Sequence, residues 1–95
     1  MKHVWLVLLA LHPALWSASW APHPDNMALR IIYKCEGGTP FFAYNTFEIS
    51  PGDSSGSFRR IEPPEDSTMC WAAAEILRGE GEDAATAEYT IVRMR

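Results

Sequence analysis

The stretch Asp66-Ser67-Thr68-Met69-Cys70-Trp71-Ala72-Ala73-Ala74-Glu75-Ile76-Leu77-Arg78-Gly79 decides the architecture, because it supports two incompatible readings. As a helix over Ser67–Arg78, Glu65-Asp66-Ser67 supplies an N-terminal cap and Gly79 the stop. Met69, Ala72, Ala73, Ile76 and Leu77 then share one face. As a strand, Thr68, Cys70 and Ala72 alternate with Met69 and Trp71, and the cysteine turns to the core. Three consecutive alanines favour the helix on propensity alone, but propensity yields to tertiary context. The helical reading makes the chain α+β, with a helix near 67–78, and the strand reading makes it all-β.

The flanking segments speak for strands. Met27 to Cys35 places Leu29, Ile31, Tyr33 and Cys35 on one side and Ala28, Arg30, Ile32 and Lys34 on the other. That is the period-two pattern of a half-buried strand. Glu36-Gly37-Gly38-Thr39-Pro40 is a turn by composition, and aromatic-rich Phe41 to Ile49 is a second strand. A polar loop, Ser50 to Gly56, leads to a short third strand over Ser57–Ile61, closed by Glu62-Pro63-Pro64 because proline gives no donor to a ladder. After the Gly79–Asp83 turn, Tyr89-Thr90-Ile91-Val92 marks a closing strand.

The N-terminus has a different character. Lys2 precedes the apolar run Val4–Leu11, and small residues follow at Ser19-Trp20-Ala21. This is the order of a secretory signal peptide, with cleavage expected after Ala21 or, alternatively, after Ser19. The apolar run is too short to cross a bilayer, which takes roughly 20 residues. The expected organisation is a signal peptide at 1–21 and one small domain at 22–95. That places the product outside the cell, with no transmembrane segment after signal cleavage. Neither Asn26 nor Asn45 begins an N-glycosylation sequon.

The whole chain of 95 residues carries a net charge of −4, and loss of Lys2 would make it more acidic. An acidic balance argues against nucleic acid and against anionic membrane surfaces. The chain has 2 cysteines, Cys35 and Cys70. In an oxidising compartment a pair in a small domain forms a disulfide, with free buried thiols or an intermolecular bridge as the alternatives. With His23 as the one histidine beyond the leader, a zinc site lacks ligands, and no cofactor is expected.

The candidate chemical groups do not converge. His23 lies in a proline-flanked segment, and neither cysteine has a neighbouring base in sequence. Ser54-Ser55-Gly56 is not a nucleophile elbow. Glu80-Gly81-Glu82-Asp83 lacks the ligand alternation of a calcium loop. Arg59 and Arg60, adjacent on a strand, point to opposite faces. An enzyme is not expected. Phe41, Phe42, Tyr44, Phe47 and Trp71 read first as core, but Phe41 and Phe42 cannot share a face of one strand, so some aromatic surface must be exposed, covered or used by a partner.

In order, these pieces resemble a compact immunoglobulin-like domain of the C2 kind, as in Fc-receptor-like and platelet-adhesion-type ectodomains. Tyr33-Lys34-Cys35-Glu36 looks like the B-strand cysteine, and Phe41-Phe42-Ala43-Tyr44 like a C strand without its usual tryptophan. Gly56 to Ile61 looks like the E strand, Cys70 like the F-strand cysteine, and Ala84 to Arg95 like the G strand. The chain departs from the family at Thr68, where a tyrosine normally ties the corner before the second cysteine. The resemblance implies a small all-β sandwich with Cys35 and Cys70 joined between two packed sheets. It also implies a secreted module, possibly immune-related, that recognises a protein partner. The contrasting expectation is a small secreted α+β factor with signalling activity.

Overall fold

The computed structural model describes residues 6–10, 15–78 and 85–95. Seven strands run through them: β1 (Leu6–Ala10), β2 (Leu15–Trp20), β3 (Met27–Gly37), β4 (Phe41–Ile49), β5 (Ser55–Arg59), β6 (Thr68–Arg78) and β7 (Ala85–Arg93). They form a three-stranded sheet in the order β1-β2-β5 and a four-stranded sheet in the order β4-β3-β6-β7. All pairings are antiparallel. The fold is an immunoglobulin-like β-sandwich, with no helix among the described residues.

The decisive stretch is therefore a strand. Cys70, Ala72, Ala74 and Ile76 are buried in alternation, whereas Met69, which a helix would have buried beside Ala72 and Ala73, is 52 % exposed. The all-β expectation holds, and the α+β alternative, with its helix near 67–78, is overturned. Propensity loses because β6 lies between two strands, so its main-chain groups are satisfied on both sides. The small residues also have a packing reason. Tyr33 pairs with Ala72 and Ile31 with Ala74, a large side chain beside a small one at each buried rung.

The core lies between the sheets. Met27, Leu29, Ile31, Tyr33, Ala72, Ala74 and Ile76 come from the four-stranded side. Trp16, Ala18 and Trp20 of β2 and Phe58 of β5 cover them from the other. Thus β1 and β2 are built from the stretch read above as a leader. Their place in the sandwich moves the strand letters: β1, β2 and β5 hold the A, B and E positions, and β4, β3, β6 and β7 hold C′, C, F and G. Cys35 accordingly sits on the C strand rather than on B, and Phe41–Ile49 is C′ rather than C. The strand expected over Ser57–Ile61 is β5, Ser55–Arg59, two residues earlier. The turn expected at Gly79–Asp83 lies outside the described residues.

Cys35 and Cys70 form a disulfide, but not between sheets. They are directly opposed on neighbouring strands β3 and β6 of one sheet. The Cys70 amide donates to the Arg95 carbonyl (3.3 Å), and the Met94 amide donates to the Cys70 carbonyl (2.8 Å). Both main-chain groups of Cys70 thus serve the β7 side, which leaves Cys35 and Cys70 as a non-hydrogen-bonded pair. Such pairs bring opposed side chains closest together, and the two Cα atoms are 4.0 Å apart.

Candidate binding face on the four-stranded sheet

In an antiparallel sheet all residues of one row face the same way, so register alone assembles the outer surface. One row across β4-β3-β6-β7 reads Phe42, Lys34, Trp71, Arg93. The next reads Tyr44, Ile32, Ala73, Ile91, and the third reads Thr46, Arg30, Glu75, Tyr89. Phe42, Tyr44, Tyr89 and Ile91 are each about 60–70 % exposed, and Trp71 is 39 % exposed. These five make a contiguous apolar surface on one side of the sheet, with a shallow groove between Arg30, Ile32, Phe42 and Tyr44.

The charges on this face are organised around the aromatic groups. The Arg30 Nε–H donates to Glu75 Oε2 (2.9 Å), and Arg30 Nη2 approaches the same oxygen at 2.7 Å. Lys34 Nζ lies 3.4 Å from a Glu36 carboxylate oxygen. The Arg93 guanidinium stacks on the Trp71 ring, 5.7 Å from its centroid, a cation–π geometry that holds the indole in place. The surface combines exposed aromatic groups with arginines, the residue types that dominate binding hot spots.

The sequence-level candidates separate cleanly. Phe41 and Phe47 turn inward against the core, whereas Phe42, Tyr44 and Trp71 turn outward. Tyr89, Ile91 and Ile32 complete the face, and alternation within their own strands would have revealed them once the inward partners were fixed. His23 accepts a hydrogen bond at Nδ1 from the Asp25 amide (3.1 Å) in an exposed turn. Arg60 packs over Trp16, 5.5 Å from the ring centroid, and its Nη2 lies 3.0 Å from Glu62 Oε2, so its role is in packing. Among the described residues, no three His, Cys, Asp or Glu side chains are gathered to hold a metal ion. No described helix is long and apolar enough to cross a membrane. The Glu80–Asp83 cluster lies outside the described residues.

The corner before Cys70, which lacks the expected tyrosine, is tied by other groups. Arg95 Nη1 donates to the carbonyls of Pro64 (2.6 Å) and Ser67 (3.0 Å), and Nη2 donates to Glu62 Oε1 (2.9 Å). Buried Ser67 donates through Oγ to the Thr39 carbonyl (2.7 Å). Both of these anchors come from parts of the chain distant in sequence, which is why reading the corner locally did not find them.

No known protein-family profile and no curated protein matches the chain. Among solved structures, it is similar to a fibronectin type III domain of human collagen XX, with a TM-score of 0.58 and 15% identity over 95% of this chain and 86% of that one. At that identity the likeness supports the fold alone, a compact immunoglobulin-like sandwich.

Proposed function

We propose that this chain is an extracellular, non-enzymatic binding module that recognises a protein through the outer face of its four-stranded sheet. The observation that carries the proposal is the contiguous row-by-row surface of Phe42, Tyr44, Trp71, Tyr89 and Ile91, bordered by Arg30 and Arg93. Exposed apolar patches of this kind mark interaction sites. The placement outside the cell is supported by the disulfide, since such bridges persist in oxidising compartments. A role in immune recognition is the narrower form of the same proposal.

The test is a binding screen of the purified chain against a panel of secreted proteins and receptor ectodomains, read by surface plasmon resonance. For any ligand found, Trp71→Ala and Tyr44→Ala are expected to weaken binding by about 30-fold or more, the hot-spot range. Leu15→Ser, on the exposed side of the other sheet, should leave it unchanged. Binding that survives both outer-face substitutions would refute the assignment of the site.

A further inference from the structure

We propose that residues 6–20 are a permanent part of the folded protein rather than a leader removed from it. In this reading they are the segment that covers the inner face of the four-stranded sheet. The first observation is the alternation along β2: Trp16, Ala18 and Trp20 are 4 %, 2 % and 3 % exposed, while Leu15 is 41 % exposed and Ser17 and Ser19 are half-buried. A segment threaded through a translocon and discarded needs apolarity but no such period. The pattern Trp16-Ser17-Ala18-Ser19-Trp20 is that of a strand with one face in a core.

The second observation is that these residues have specific partners far away in sequence. The Trp20 indole Nε1–H donates to the Asp53 carbonyl (2.8 Å), and the Trp20 amide donates to the Ser54 carbonyl (2.9 Å). Trp16 packs edge-on against Phe58, with ring centroids 6.4 Å apart, and the Arg60 guanidinium lies over the Trp16 ring, 5.5 Å from its centroid. In β1, Leu6 and Leu8 pack against the same core.

The third observation is topological. Among the described residues β2 is the one strand that β5 pairs with, so a chain cut after Ala21 would leave β5 without a sheet. The inner residues Leu29, Ile31, Tyr33, Ala72, Ala74 and Ile76, each at most 3 % exposed, would lose their cover. Cleavage after Ala21 and formation of this sandwich are therefore mutually exclusive. Among the described residues of this apolar stretch, Trp16, Ala18 and Trp20 fill core positions and Leu6 and Leu8 pack against them.

The experiment uses the full chain, produced in secreting cells behind an unrelated leader and compared with its variants by thermal unfolding. Trp16→Ala and Ala18→Asp are expected to lower the melting temperature by roughly 15 °C or more, or to abolish the cooperative transition. Leu15→Ser should shift it by only a few degrees. Intact mass should show residues 6–20 still present, and hydrogen exchange should show the β2 amides as slow as those of β5. The proposal is overturned if the folded material begins at Pro22 and melts cooperatively. It is equally overturned if Trp16→Ala and Ala18→Asp unfold at the temperature of the parent chain.

Discussion

Two glycines with positive φ show how a single hydrogen atom can decide local structure. Gly52 (φ +87°) sits third in the turn Ser50-Pro51-Gly52-Asp53, where the Asp53 amide donates to the Ser50 carbonyl at 3.1 Å, as in a type II turn. A Cβ there would meet nothing within 4 Å. Gly38 (φ +64°) has the same backbone constraint, but its Cβ would collide with the Asp66 carbonyl. Gly52→Ala should therefore cost about 1 kcal/mol, from backbone strain alone. Gly38→Ala should cost about 2–4 kcal/mol, because strain and a main-chain collision combine. Urea unfolding of the two variants checks the order, and equal costs would show that the β3–β4 turn can move away from Asp66. Tyr33 gives a second test at this scale. Burial pushes its phenol above the usual pKa, and the Ile61 backbone, Arg60 and Asn45 draw it only partly back. Among the described residues its hydroxyl has no hydrogen-bond partner of ordinary geometry. Because the folded pKa is raised, this contribution to stability is complete below the unfolded tyrosine pKa of about 10 and is lost as pH rises through the folded value. Tyr33→Phe should flatten the alkaline limb of a stability-versus-pH curve while changing stability at pH 7 by less than about 1.5 kcal/mol. An unchanged alkaline limb would assign that loss to other groups.

Among the elements, legibility followed sequence period. β3 and β4 were readable because alternation with β-branched and aromatic residues has no helical counterpart, and the expected bounds of β4 match the strand observed. β6 was ambiguous because its inward residues, Ala72 and Ala74, are small only in response to Tyr33 and Ile31 across the ladder, a fact about partners rather than about the segment. β2 was hidden for the opposite reason. Its apolar content is so high that composition outweighed the alternation of Trp16, Ala18 and Trp20. With residues 1–21 read as a leader, Met27–Gly37 and Phe41–Ile49 take the letters B and C instead of C and C′, and the disulfide is expected between sheets. Half of the candidate face was legible in the same way: Phe42, Tyr44 and Trp71 were singled out, but which of the aromatics faced outward needed the register.

For the whole molecule, the placement of the disulfide changes what it can do. A bridge between the C and F positions of one sheet does not staple the two sheets together; that task falls to the core of Trp16, Trp20, Phe58, Tyr33 and their neighbours. What the bridge does is close a chain loop with a sequence separation of 35, which spans β4, β5 and the corner before β6. Its contribution is therefore to restrict the unfolded chain, and the loop-entropy argument gives about 3–4 kcal/mol. The expected behaviour of a Cys35→Ala/Cys70→Ala double variant follows. The sandwich should still form, with an unchanged far-ultraviolet dichroism spectrum, because sheet packing is left intact. Its urea midpoint should fall by an amount equivalent to about 3–4 kcal/mol, a large share of the 5–15 kcal/mol typical of a domain. A double variant that lost all β structure at 25 °C would show that the core between the sheets cannot hold them without the covalent link.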